Sequence, residues 1–374
     1  MKGIIDSTLR EGSQAVGVLF RDDDRLRLFA GLVRTGVEEI EVDIAAGRNS
    51  SLPRLMAGYR KIAAGGPSPP RIALWCRCRE EDIRLAAALR PDVLSLSVPA
   101  SDLHRQIRLG IGRDQLLRLL DEAVRLARSL GDWRVSVGFE DGSRADRDFL
   151  GELMAVAATV GAFRIRLADT VGILSPERMA ALVRFARMHF PGEIGVHTHN
   201  DFGMATANAV AALDAGADWA DATLLGLGER AGNARLEEIA AYLTAGPGPR
   251  RSYRLEALRA LALQLAGMID RPVDAARPII GADIFSCETG LHLSALQQEP
   301  ATYEPFAPEL VGSDRRLLIG AKTGRRAVAQ CLARLGAIPS TQLLERVVDK
   351  VRAAAAAKGT PLTDGELLRL AAEG

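Results

Sequence analysis

Short apolar, β-branched runs recur through the first two thirds of the chain, and helical stretches separate them. The runs read GIIDST (3–8), EEIEVD (38–43), RIALWC (71–76), VLSLSVP (93–99), RVSVGFE (134–140), RIRLAD (164–169), EIGVHTH (193–199) and DATLLGLG (221–228). Between them the period changes. In GRDQLLRLLDEAVRLARSLG apolar residues recur at spacings of three and four, and a glycine closes the segment. Eight strands alternating with helices at spacings of roughly 20–40 residues predict a (β/α)8 TIM barrel. A doubly wound open sheet is the rival. It favours a GxGxxG turn after an early strand, and the sequence has none there.

The barrel reading demands that reactive residues gather at the C-terminal ends of strands. The first run leads to Arg10 and Glu11, and the second passes through Glu41 to Asp43. The fifth ends in Glu140 and Asp141, the sixth in Asp169 and Thr170, the seventh in His197 and His199, and the eighth in GLGERAGN. Each match alone is weak, since loops collect polar residues, but their joint placement is not what chance gives. After about residue 250 the alternation stops at GPGPRRSYR (246–254). The expected organisation is therefore a barrel over 1–250 and a smaller mixed, largely helical C-terminal region over 251–374. The tract in VVDKVRAAAAAKG is a strong helix former with no chemistry of its own.

Composition narrows the function. A formal net charge of +1, with 48% apolar and 25% charged residues, gives no reason to expect nucleic acid or an anionic membrane as a partner. No apolar run of about 18 residues offers a membrane span, and MKGIIDSTLREG lacks the apolar segment of a signal peptide. The four cysteines, Cys76, Cys78, Cys287 and Cys331, form neither a disulfide framework nor a paired CxxC zinc site. These features lead to the expectation of a cytoplasmic protein acting on small molecules.

Two of the five histidines stand two residues apart at a strand end. In a strand, i and i+2 point to the same side, so His197 and His199 converge, and neutral imidazoles converging on one point make a metal-binding unit. The plainer alternative is one buried, hydrogen-bonded histidine and one incidental one. An oxygen ligand would come from Glu11, which reaches strand 7 through barrel closure around strand 8. Arg10 beside it suits a substrate that develops negative charge, or else simply pairs with Glu41 or Asp169. The glycines of GLGERAGNA permit close backbone approach or positive φ, which a tight turn alone also needs.

With those residues in view, DSTLREGSQ (6–14), HTHNDFGMATAN (197–208), GLGERAGNARLEE (226–238) and GADIFSCETGLHLSALQQEPATYEPFAPELVG (281–312) resemble the acyl-CoA-condensing barrel family of isopropylmalate and homocitrate synthases. LWCRC (74–78), SVPASDLH (97–104) and GFEDGSRAD (138–146) resemble its homocitrate branch that serves nitrogenase cofactor synthesis. The resemblance implies a Claisen-type condensation of acetyl-CoA with a 2-oxo acid. It implies a divalent metal (Mg, Mn, Zn or Co) held by Glu11, His197 and His199, with Arg10, Glu140, His292 and Tyr303 as catalytic residues. Gln14, Glu41 and Thr170 match substrate-side residues, and Arg77 is a candidate for a distal carboxylate. In the family the segment carrying His292 and Tyr303 comes from a partner subunit, which implies a homodimer.

The chain also departs from the family pattern. Ser13 stands for an acidic residue, Asp43 for a Gly, Cys287 for a His, Gly195 for a Glu, and GAKTG (320–324) for GKHSG. Ser136 stands where lysine-pathway homocitrate synthases carry an Arg. The expected substrate is 2-oxoglutarate, with oxaloacetate, 2-oxoisovalerate and pyruvate as rivals. A metal-dependent barrel hydrolase or lyase is a remoter class, disfavoured because hydrolase barrels of the amidohydrolase type put HxH on the first strand. A non-catalytic binding protein is disfavoured because Arg10, Glu11 and both histidines are retained.

Overall fold

The structure is a computed structural model that describes the chain except residues 47–49, 67, 249–250, 289–294, 297, 339 and 374. Eight parallel strands close into a barrel in chain order. They are β1 (Gly3–Asp6), β2 (Glu39–Ile44), β3 (Arg71–Arg77), β4 (Val93–Pro99), β5 (Arg134–Glu140), β6 (Arg164–Asp169), β7 (Glu193–Thr198) and β8 (Trp219–Ala222). β8 returns to β1 with Gly3 opposite Trp219 and Asp6 opposite Ala222. The expected TIM barrel is therefore what forms. Its eighth strand ends earlier than the apolar run suggests. Leu224–Gly226 make a 3-10 turn in which Leu225 has φ +60°, so most of TLLGL is buried loop.

The helices are α1 (Asp22–Thr35), α2 (Leu52–Ala64), α3 (Glu80–Ala88), α4 (Asp102–Leu109), α5 (Arg113–Ser129), α6 (Arg147–Thr159), α7 (Pro176–His189), α8 (Ala205–Asp214), α9 (Leu236–Ala245) and α10 (Leu255–Met268). α5 shows why they sit as they do. Leu116, Leu120, Ala123, Val124 and Ala127 are buried and fall on one face at helical spacing. Ser101 and Asp146 cap α4 and α6 by accepting the N–H groups of His104 and Phe149.

Met1–Pro272 form one compact unit and Val273–Gly374 a second. α10, which follows the GPGP break, packs on α1 within the first unit, where Leu261 covers Gly31. In the second unit, Ser286–Cys287 and Arg316–Leu317 pair as two short parallel strands. Helices Arg325–Arg334, Thr341–Lys358 and Asp364–Ala372 enclose a core that includes Val328, Leu332, Val347, Val351 and Leu367. Among the described residues no helix is long and apolar enough to cross a membrane.

Inside the barrel the layers are charged. Arg164 is fully buried, and its Nη1 donates to Glu39 Oε2 at 3.1 Å while its Nε donates to Ser136 Oγ at 3.2 Å. Arg71 reaches the same Glu39 oxygen at 3.1 Å. Two residues further along the strands, the next layer holds Glu41, Arg166 and Asp221. Gly195 belongs to this layer, opposite Arg166 and Trp219. A Cβ there would sit 3.6 Å from Arg166 Cγ and 3.7 Å from Arg164 Cδ, so anything longer would run into the arginine stems. The missing glutamate at 195 thus goes with arginines at 164 and 166. One layer higher, at the strand ends, come His197 and His199.

Candidate active site

Glu11 leaves β1 in a tight turn, where its N–H and that of Arg10 both bond Ser7 O. Its Oε1 lies 3.4 Å from His199 Nε2 and 4.0 Å from His197 Nε2. One ligand atom from each residue falls within 4.8 Å of the other two, and all three side chains are buried. The far side of each ring is anchored. His197 Nδ1 meets Asp221 Oδ2 at 2.9 Å, and His199 Nδ1 meets the carbonyl of Asp169 at 3.2 Å. Both partners accept, so Nδ1 carries the proton and each Nε2 lone pair faces Glu11. Burial pushes His197 down to about 4, and the charge of His199 and Arg10 adds to it, against the pull of Asp221. Burial, then the Arg230 charge, lowers His199 as well. Two neutral imidazoles and a carboxylate form a donor set that fits a divalent cation.

Arg10 bonds Glu11 with one nitrogen and, through Nε, donates to Glu41 Oε1 at 2.7 Å. Its guanidinium lies 6.0 Å from the centre of the Trp75 ring. Burial alone would raise the Glu41 carboxyl, but Arg10 and Arg166 outweigh it and hold the group down at about 2. The alternative reading of Arg10, an ion pair with Glu41, is therefore present, and it sits beside Glu11, His197 and His199.

These residues stand around one cavity of about 490 Å³. Arg10, Glu11, Gln14, Glu140, Thr170, His197 and His199 line it, as their places in the sequence suggested. Thr170 Oγ1 accepts the Asp141 N–H at 2.7 Å, which leaves its proton for an anion in the cavity. Glu140 is ion-paired with Arg108 of α4. Two expected substrate residues do not line this cavity. Glu41 is 1% exposed and turns both oxygens to arginines. Arg77 is bound in a fork by Asp82, at 2.5 and 3.1 Å, and lines a neighbouring cleft of about 440 Å³. That cleft shares Ser97, Arg108 and Glu140 with the first. Tyr303 lies in the second unit, just past the turn Pro300–Thr302, with its side chain half-exposed. His292 lies outside the described residues.

Two of the departures do not line the cavity and have local partners. Ser13 Oγ donates to Arg10 O at 2.7 Å, steadying the turn that carries Arg10. Asp43 faces Arg25 at 3.5 Å. Sequence reading missed Trp75, Arg108, Arg166 and Arg230, all of which line the cavity, and Asp221 behind His197. Arg230 bonds Asp201 Oδ1 at 2.9 Å and Thr170 O at 2.7 Å. Only Arg164 and Arg166 carried a signal: two arginines at i and i+2 in a barrel strand put charge into the interior, where it must be paired.

Fold and site together define a (β/α)8 barrel with a carboxylate and two imidazoles that could hold a metal ion at the C-terminal ends of its strands. Residues 2–263 match the HMGL-like family, and residues 279–359 match the homocitrate synthase post-HMGL domain-like family. The chain belongs to the HMGL-like family, in the branch of the homocitrate and isopropylmalate synthases. It is 39% identical to a homocitrate synthase of Frankia alni, over 88% of this chain and 93% of that one. It is 37% identical to homocitrate synthase 1 of a Nostoc species, over 99% and 97%. It is also 37% identical to a probable 2-isopropylmalate synthase of Ignicoccus hospitalis, over 93% and 86%. The HMG-CoA lyase of Brucella melitensis shares the fold, with a TM-score of 0.63 at 19% identity over 72% of this chain and 99% of that one.

Proposed function

We propose that the chain condenses acetyl-CoA with a 2-oxo acid, and in particular with 2-oxoglutarate, to give homocitrate and CoA. The observation that carries this is the Glu11–His197–His199 trio with Arg10 beside it on the wall of one cavity. Glu11, His197 and His199 would hold a divalent ion (Mg, Mn, Zn or Co), which would supply Lewis acidity toward the 2-oxo acid. Arg10 donates to the ketone oxygen as charge develops there, and the Thr170 hydroxyl and Gln14 orient the acid. The methyl group of acetyl-CoA loses a proton, its carbon bonds to the ketone carbon, and the ketone oxygen takes up a proton. Water then cleaves the thioester, releasing CoA and leaving a new carboxylate.

Glu140, His292 and Tyr303 are the residues we assign to this proton traffic. The last two belong to the C-terminal region, supplied by a partner subunit in a homodimer. The relatives named homocitrate synthase support 2-oxoglutarate, as does Arg108, a cation on the cavity wall that could exchange its partner Glu140 for a second carboxylate. Arg77, held by Asp82 in the neighbouring cleft, is less well placed for that task.

The test is CoA release from acetyl-CoA by the purified, metal-loaded protein, with 2-oxoglutarate, oxaloacetate, 2-oxoisovalerate and pyruvate offered in turn. A clear preference for 2-oxoglutarate is the expected result. Preference for another acid keeps the chemistry and overturns the substrate, and no release with any of them overturns both.

A further inference from the structure

Arg166 has two carboxylate partners, and each leads to a different part of the site. Its Nη1 lies 2.9 Å from Asp221 Oδ2 and 3.0 Å from Glu41 Oε2. The same Asp221 oxygen holds His197 Nδ1 at 2.9 Å, and the other Glu41 oxygen holds Arg10 Nε at 2.7 Å. Asp221 Oδ1 has no hydrogen-bond partner among the described residues, so this carboxylate is fixed through Oδ2 alone. Arg164, one layer below, is the contrast. It hydrogen-bonds Glu39 and Ser136 and does not line the cavity.

We propose that Arg166 is a positioning residue that holds His197, through Asp221, and Arg10, through Glu41, in one fixed arrangement. Both contacts run from one guanidinium nitrogen, Nη1, so a single fixed cationic head ties the two carboxylates together. Without Arg166, Asp221 is left as a buried carboxylate held by one imidazole, free to turn and take the ring with it. Glu41 is left with Arg10 as its one strong partner, and the Arg10 head is drawn out of line with the cavity. Partners behind a ligand histidine set ring orientation and basicity in this way, and losing one costs about 10–100-fold in metal affinity or activity.

The inference rests on the trio being a metal site, so the experiment tests both. The full chain is stripped of metal and titrated with Co²⁺, whose visible spectrum reports the ligand field, and steady-state rates are taken with the metal restored. R166M is expected to bind Co²⁺ about 10–100-fold more weakly, with an altered spectrum and a lower kcat. R166K, which keeps the cation but on a flexible stem without the rigid planar head, is expected to recover part of the loss. E41Q separates the two arms: Co²⁺ affinity is retained while kcat falls. A folded R166M with wild-type Co²⁺ affinity and spectrum overturns the proposal. Should R166M fail to fold, R166K decides. A roughly tenfold loss in affinity or kcat supports the positioning role, and wild-type values in both overturn it. E11Q is the control. If E11Q also binds Co²⁺ like wild type, the metal reading fails and the positioning role falls with it. If E11Q alone loses the ion, only the role of Arg166 is wrong.

Discussion

His199 Nε2 lies 3.4 Å from Oε1 of Glu11, although 188 residues separate them in the chain. The contact exists because β8 hydrogen-bonds to both β1 and β7, bringing the first and seventh strand ends to the same side of the mouth. A cation that binds only this folded arrangement stabilises it by mass action, by about 2.7 kcal/mol at a hundredfold excess over Kd. Added Mn²⁺ is therefore expected to raise the unfolding temperature of the metal-stripped protein, and EDTA to reverse the gain. H199A and E11Q should show no such rise. An equal rise in the variants would mean that the ion binds elsewhere.

Arg108 and Arg77 line the same cleft beside Glu140, but of the two only Arg108 also lines the cavity that holds the trio. A charge-assisted hydrogen bond contributes about 1.5–3 kcal/mol, which corresponds to roughly 10–150-fold in binding. R108A is thus expected to raise KM for 2-oxoglutarate by roughly that factor and to change KM for pyruvate, which has no second carboxylate, much less. R77A should leave both within a few-fold. If R77A has the larger effect, the distal carboxylate extends into the neighbouring cleft.

Asp6, at the end of β1, gives a pH dependence of opposite sign to the usual carboxylate. Burial raises it from 3.8 to about 7, against the Thr8 N–H and hydroxyl that it accepts, and the nearby charges of Glu237 and Asp221 push the same way as burial. A carboxyl raised on folding favours the protonated native state. Its contribution is full below about 3.8 and is lost as pH rises through about 7. The loss is at most about 1.4 kcal/mol per pH unit. Urea unfolding of metal-stripped wild type and D6N between pH 4.5 and 8 isolates it. Wild type should lose stability relative to D6N as pH rises, and parallel profiles would refute the assignment.

The barrel and the convergence of His197 with His199 were legible because both follow from strand periodicity: eight runs give closure, and HxH at period two gives convergence. What stayed hidden is the charge inside the barrel. Glu39, Glu41, Arg164, Arg166 and Asp221 come from three strands, and their pairing depends on register, which a one-residue shift would turn inside out. For the same reason Glu41 reads as a substrate residue from the family resemblance, while in the fold both its oxygens bond arginines. The end of β8 was misplaced because TLLGL is as apolar as a strand. It packs as a buried turn, with Leu225 at φ +60°.

That loop supports the last prediction. Gly232 has φ +88°, and a Cβ there would lie 2.0 Å from Gly226 O. Its carbonyl accepts the Asn200 N–H at 2.9 Å, and its neighbour Asn233 bridges to His199, so the loop braces the strand end that carries a ligand. Gly36 is the control, with the same φ of +88° and nothing within 4 Å of a built Cβ. Left-handed strain alone costs about 1–2 kcal/mol. G36A is expected to lower unfolding stability by about that much, with kcat unchanged. G232A adds a backbone clash that only loop movement relieves, so it should cost more and also weaken metal binding and turnover. Equal stability losses in the two variants, with turnover intact in both, would show that the loop yields without disturbing His199.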